Sequence, residues 1–430
     1  MAERDRPKAE WLVGLSETYV MLKHWVHAAQ AMERAAQISE KPDHTFRAAR
    51  LWLAADRPDE ALPLLQTLTQ GPSPLGKWFV ALSNCYLMLN QEKEAARAME
   101  QAAGITRTGK HYYRAGMLWL QVGNAEKGIS LLQTCVRLQP IQQQWLVSLA
   151  QALLDGGQRK AALTVMARTQ LTGPDVSPAV SYQGAMLWLQ LKRPEAALPV
   201  LKALCRKQHP ALSWLMALVK THVELSQVGE AEKSLKRLLD AYPEDPKAWQ
   251  LTVWLSLEQA DYAKAAAAMA VAVRLGPPNP DQLRKLADLY HMAGVPVKAA
   301  ITLQETWQRA PGAEDWDRLT HIYLSGHRYE MALASARSAV AAHASAERWK
   351  TVGAIAFRLR RFEESLKAYR QSAAMKPDAH LLLQAGYAAL KLDQIQEATR
   401  LLRKAIQSAP NNSAVARKAH AHLTYIEKIQ

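Results

Sequence analysis

WKTVGAIAFRLRRFEESLKAYRQSAAMKP, residues Trp349 to Pro377, decides the fold. Trp349, Gly353 and Ala356 fall four and three residues apart, so they share one face of a predicted first helix. Phe362, Ser365, Tyr369 and Ala373 repeat that stripe in a second helix, and Pro377 stops it. Gly353 and Ser365 are expected where the two helices cross. A small side chain there lets the backbones approach and the aromatic neighbours interlock.

Amphipathic helix pairs are common, so the recurrence of the pair carries the argument. The small residue opening the second helix returns as Ala28, Ala61, Ala95, Gly128, Ala161, Ala197, Ala231, Ala265, Ala299, Ala332, Ser365 and Ala398, with gaps of 33, 34 or 36 residues. Pro243, Pro277, Pro311, Pro377 and Pro410 keep the same beat. The quoted stretch resembles a tetratricopeptide repeat (TPR), whose W-x2-L-G-x2-Y, A-x3-F and A, P pattern spans 34 residues. Periodicity and resemblance together predict an all-α fold. It is a right-handed TPR superhelix, an α-solenoid of about twelve helix-turn-helix repeats over residues 9–411. Residues 412–430 are expected to form a C-terminal capping helix opened by Asn412 or Ser413, with Lys and His on its outer face.

Repeats two, four and six look alike. TFRAARLWLAADRPDEALPLL, HYYRAGMLWLQVG and VSYQGAMLWLQLK place Trp52, Trp119 and Trp188 67 and 69 residues apart, as if a two-repeat unit had been copied. These indoles, with Trp249, Trp316 and Trp349, are read as structural repeat positions. Pro63 and Pro199 lie inside predicted second helices, where each removes a backbone donor. Repeat five is the least regular, with Gly156–Gly157 at its turn and the single 36-residue gap, so a bend is expected near 172–180.

The chain has 430 residues, 49% of them hydrophobic, and carries a formal charge of +15 from 54 Lys and Arg against 39 Asp and Glu. That balance permits attraction to nucleic acid, phospholipid headgroups or an acidic protein. Lys and Arg are also good helix formers on solvated faces. The densest basic cluster, Arg358, Arg360 and Arg361, ends a first helix, where cations suit the helix dipole. Cys85, Cys135 and Cys205 lack metal or redox spacing and fall on apolar helix faces, as buried small hydrophobes do. No apolar run is long enough to cross a membrane. MAERDRPKAEW has no apolar leader core, which leaves a cytoplasmic chain or a periplasmic one whose leader was removed.

Catalytic motifs are missing: there is no Gly-rich phosphate loop, G-x-S-x-G or HExxH. His24 and His27, a helical turn apart, are read as a chance pair, and neither a metal nor a cofactor is expected. The chain is therefore read as a non-enzyme. Binding is expected in the concave groove that such a superhelix lines with its first helices. Residues one and five after the signature Trp position face it: Phe46, Arg50, Val80, Asn84, Tyr113, Met117, Tyr182, Met186, Lys220 and Trp254. Aromatics and methionines with a few polar anchors suit an extended or helical peptide; the alternative is that some of these rings cover the neighbouring repeat. The lysine and asparagine clamp by which some TPR proteins grip acidic chaperone tails is incomplete. Asn84 fits it, but Val80 stands at the lysine position and Arg114 at the next asparagine position.

Leu286–Gln304, the AERWKTVGAIAFRLRRFEESLKAY run and Ala419–Lys428 resemble a bacterial subgroup of TPR proteins that accompanies the TonB–ExbB–ExbD energy-transducing system. These segments cover under a fifth of the chain. The resemblance implies a periplasmic adaptor in outer-membrane uptake. The leading expectation is a protein–protein interaction scaffold, and the alternative is a basic solenoid holding nucleic acid or an anionic envelope polymer.

Overall fold

The computed structural model describes residues 8–138, 140–277, 279–307, 310–410 and 413–429. Over those residues the chain is all-α, with twenty-five helices and no strand. Its contacts divide into two compact units, residues 1–234 and 235–430, and the border falls inside one helix.

The first unit holds α1 (Ala9–Met21), α2 (Trp25–Ser39), α3 (Pro42–Ala54), α4 (Pro58–Gln70), α5 (Gly76–Met88), α6 (Glu92–Thr106) and α7 (Gly109–Gln121). It continues through α8 (Ala125–Cys135), α9 (Gln143–Asp155), α10 (Arg159–Met166), α11 (Pro178–Gln190), α12 (Pro194–Cys205) and α13 (Leu212–Glu224) to α14 (Val228–Ala241), which carries the border. The second unit contains α15 (Pro246–Glu258), α16 (Tyr262–Leu275), α17 (Pro280–Met292), α18 (Pro296–Glu305), α19 (Ala313–Ser325) and α20 (Tyr329–Ala342). It ends with α21 (Ala346–Arg358), α22 (Phe362–Met375), α23 (Ala379–Lys391), α24 (Ile395–Ser408) and α25 (Ala414–Ile429).

Odd-numbered helices are the first of each pair and even-numbered ones the second. Proline opens α3, α4, α11, α12, α15, α17 and α18, where its fixed φ fits and its missing N–H costs nothing. From α1 to α13 and from α15 to α25 each helix packs on the next, with one exception described below. α25 packs on α24 and α23, closing the last core cluster through Ala419 and Ile426. Ser413 accepts the Ala416 N–H (3.2 Å) and caps that helix, while Asn412 lies outside the described residues.

The helix crossing at Gly353 and Ser365 is tight. The Ser365 hydroxyl donates to the Gly353 carbonyl (2.9 Å), and a Cβ on Gly353 would stand 2.9–3.0 Å from Tyr369 ring atoms. In the first pair the direction is reversed: Ser16 of the first helix donates to the Ala28 carbonyl of the second (2.7 Å). In pair five the register is one residue later than the sequence suggests. Ala162 is fully buried and Ala161 is half-buried, so the fourth residue of every second helix, rather than Ala161, keeps the beat. The cause lies in the unit itself. α10 stops after eight residues, and α11 packs directly on α9. Leu171, from the connection that follows, is buried against Gly184, where a Cβ would come within 2.4 Å of it, and the Ser181 hydroxyl holds the Leu171 carbonyl (2.7 Å).

The three-residue turns inside the pairs share one conformation. Lys23, Asp56, Asn90, Lys192, Ser226, Ala260, His327, Arg360 and Asp393 sit at φ 55–60°, and Gly123, Gly157 and Gly294 occupy the same place in the other three turns. The next residue's N–H reaches back five residues, as from Arg57 to Trp52 O (3.0 Å) and Arg361 to Ala356 O (2.9 Å). That bond satisfies a carbonyl at the end of the first helix.

Candidate functional site

Nine of the expected groove residues lie on first helices of the first unit, and Trp254 lies on α15 in the second unit. Position five of a first helix meets the next first helix. Lys77 sits over the Phe46 ring (5.2 Å to its centre) and pairs with Asp43 (3.0 Å). Tyr113 stacks on Trp145 (6.3 Å) and its hydroxyl pairs with Ser148 (3.1 Å); the Tyr182 hydroxyl reaches Ser213 O (3.5 Å). All three rings are half-buried and cover the neighbouring pair. Arg50, Met117 and Lys220 are exposed, Met186 and Trp254 half-buried.

Asn84 is engaged within the chain, its amide oxygen accepting from Arg114, and Val80 packs against the core. The Arg114 contact belongs to a ladder between successive first helices. Arg47 pairs with Glu17 (2.8 Å), Arg348 with Asp317 (2.8 Å) and Arg318 with Asp288. Arg47, Lys77, Arg114, Arg318 and Arg348 are thus each matched by an acid or amide about one repeat earlier.

The cleft between α21 and α23 departs from that balance. About 890 Å³ in volume, it is lined by Lys350, Ala354, Phe357, Arg358, Arg360, Phe362, Tyr369, His380, Leu381, Gln384 and Lys391, with no carboxylate. Tyr369 and Leu381 are buried floor residues, and Phe357 and Phe362 pack edge to face (5.3 Å, 68°). Burial pushes the Tyr369 phenol up to about 12, so it stays a neutral donor. Arg358 stacks on Tyr329 (4.5 Å), which leaves its charge in place, whereas Arg361 faces away and pairs with Glu330 (2.7 Å). By contrast, the α19–α21 cleft, about 620 Å³, includes Asp317 and Glu347 beside Arg318 and Arg348.

The structural tryptophans divide into two sets. Trp52 and Trp119 are buried, and their Nε1 groups donate to Glu33 (3.0 Å) and Glu100 (2.7 Å) of the preceding second helix. Lys127 lies over the Trp119 ring (4.5 Å). Trp188 is only half-buried; α10 ends at Met166, before the position from which Glu33 and Glu100 reach their tryptophans. Trp249, Trp316 and Trp349 open first helices and are half-buried; Trp249 donates to Pro243 O (2.7 Å) and Trp316 meets Trp307 edge-on (4.8 Å).

His24, His27 and Tyr19 form an aromatic cluster with ring centres 5.3–6.4 Å apart. Among the described residues no three His, Cys, Asp or Glu converge as a metal would need. Cys85, Cys135 and Cys205 are buried. Burial drives the Cys85 and Cys135 thiols up to about 11 and 12, and they donate to Pro58 O and Gly109 O (3.2 Å each). No described helix is long and apolar enough to cross a membrane.

Residues 216–280 and 353–413 match the family model of the tetratricopeptide repeat. With the helix pairs above, the class is a helical repeat scaffold of tetratricopeptide type, one that generally mediates protein–protein interactions. Similar solved structures include Naa15/Naa10 bound to HypK-THB, at 14% identity over 94% of this chain and 69% of that one, with a TM-score of 0.40. A C-terminal part of a TPR repeat-containing protein from Cytophaga hutchinsonii is 17% identical over 57% of this chain and 98% of that one, with a TM-score of 0.46. A tetratricopeptide repeat protein from Parabacteroides merdae is 16% identical over 58% and 99%, with a TM-score of 0.38. No curated protein matches the chain.

Proposed function

We propose that this chain is a non-catalytic adaptor that holds a segment of a partner protein on the side formed by its first helices. The observation that carries this reading is the composition of that side. Arg50, Met117 and Lys220 stand exposed and Met186 is half-buried, and in the second unit the clefts between first helices reach the size of ligand sites. Methionines adapt to a partner's shape, and cations fix its register.

Phe46, Tyr113 and Tyr182 are poor probes, because each ring also packs on the next pair. The better test places a photo-crosslinking residue at Met117, Met186 or Lys220, and as controls at Arg97 and Lys202, exposed second-helix residues of the same unit. Adducts with one partner are expected from the first-helix positions. Adducts from Arg97 and Lys202 instead would move the interaction to the second helices. Crosslinking beside the TonB–ExbB–ExbD components tests whether that system supplies the partner, a reading supported by the sequence resemblance.

The alternative, a basic solenoid on nucleic acid or an anionic polymer, draws on the charge of +15. Against it, ion pairs between first helices neutralise Arg47, Lys77, Arg318 and Arg348. Affinity for a phosphate polymer should drop by about one log unit per log unit of salt for each phosphate neutralised, and a flat response removes this alternative.

A further inference from the structure

The α21–α23 cleft combines an apolar floor with basic side chains gathered toward its two ends. Consecutive helices joined by short turns run antiparallel, so α21 and α23 run in the same direction. Lys350 and His380 therefore lie toward one end, and Arg358, Arg360 and Lys391 toward the other. Along α21, Lys350 and Arg358 are eight residues or about 12 Å apart; along α23, His380 and Lys391 are eleven residues or about 16 Å apart. Ala354 lies between the ends along α21, Phe357 adjoins Arg358, Leu381 adjoins His380, and Tyr369 of α22 joins them in the lining.

Little of this charge is neutralised within the chain. Lys350 meets Glu347 (3.2 Å), an exposed pair on one helix that holds it weakly. Asp378, at the His380 end, accepts the His380 backbone N–H (2.8 Å) and caps α23. Among the described residues, Arg358, Arg360 and Lys391 have no carboxylate within ion-pairing distance.

We propose that this cleft docks an extended acidic segment of a partner protein, with two carboxylate side chains four to five residues apart and a bulky apolar side chain between them. The spacing follows from length, since an extended chain advances about 3.3 Å per residue and must bridge roughly 12–16 Å. The apolar residue follows from the floor. Nucleic acid is a poorer fit: Phe357 and Phe362 pack edge to face on each other, which is not the pair of parallel, open ring faces on which successive bases stack. The proposal rests on the adaptor reading and assigns one of its sites.

The test is fluorescence anisotropy of the full chain with an amidated, fluorescein-labelled peptide of about twelve residues. It carries two glutamates five residues apart, a leucine between them, and glycine and serine elsewhere. Arg360→Gly and Lys391→Ala alter exposed residues, and the glycine suits the φ of 60° at 360, so the double variant should melt like the parent. It is expected to bind the peptide roughly tenfold more weakly, which corresponds to losing two partly exposed ion pairs. Binding should also weaken with salt, and when the leucine becomes serine or the glutamates become adjacent. Equal affinity in the double variant, indifference to glutamate spacing, full competition by oligo-dT or by phosphatidylglycerol vesicles, or no binding by the parent would each overturn the proposal. The adaptor reading is judged separately, by the crosslinks from Met117, Met186 and Lys220.

Discussion

The backbone at the turn inside each helix pair shows how a single residue serves the repeat. The left-handed position recurs in all twelve turns, yet glycine fills only three of them. A side chain with a Cβ pays about 1–2 kcal/mol for that conformation, and the repeat tolerates it because the back-reaching N–H satisfies a helix-end carbonyl. Gly294 has no neighbour within 4 Å of the place a Cβ would take, so only the backbone term acts there. Gly294→Ala is expected to destabilise the second unit by about 1 kcal/mol, and Ala260→Gly to stabilise it by about 0.5 kcal/mol. Urea midpoints of the two variants check both signs. The small residues at helix crossings were legible in the sequence because each acts inside one repeat. The left-handed positions were not, because Lys, Asp, Asn, Ser, His and Arg all occur there and share only a backbone angle. Glu33 and Glu100 were missed for another reason: each meets its tryptophan from the preceding repeat, 19 residues away, and surface glutamates are too common to signal it.

At the scale of elements, the irregular pair and the last helix mark where sequence and structure part. The Gly156–Gly157 turn and the longer gap locate the irregularity of pair five. The insertion of Leu171 against Gly184 depends on α10 ending early, which no local pattern reveals. In α25 the expected outward-facing His and Lys are only partly so. Lys418 and His420 are exposed, whereas His422 is half-buried with its ring edge-on to Tyr387 of α23 (4.5 Å). The period of the helix turns His422 inward, and burial lowers its pKa below the usual imidazole value. A lowered pKa means that the folded state holds the neutral ring. Its contribution is therefore present above about pH 6.5 and is lost as the pH falls through the lowered value. Hydrogen exchange across residues 414–428 should quicken between pH 7.5 and 5.5, after correction for the intrinsic rate. His422→Phe should remove that extra dependence, and an equal dependence in the variant would assign it elsewhere.

Across the whole molecule the charge total was legible, and its distribution was not. The acids that neutralise Arg47, Arg318 and Arg348 lie about one repeat earlier, and the cations left free at the α21–α23 cleft come from adjoining repeats. Stability in a repeat stack is close to a sum of local terms, so distant stretches need not unfold together. The cysteines make this measurable, because Cys85, Cys135 and Cys205 all belong to the first unit. At pH 8 the folded Cys85 and Cys135 thiols, raised by burial to about 11 and 12, are almost entirely protonated and shielded. Labelling with a thiol reagent in urea therefore reports opening of residues 1–234 alone, while helical circular dichroism reports both units. The two transitions are expected to differ in midpoint. Coincident curves would mean that the units unfold as one cooperative body, and the additive picture would fail. Above pH 9 the unfolded thiols ionise while the folded ones do not, so the labelling midpoint should shift to lower urea as the pH rises toward 11.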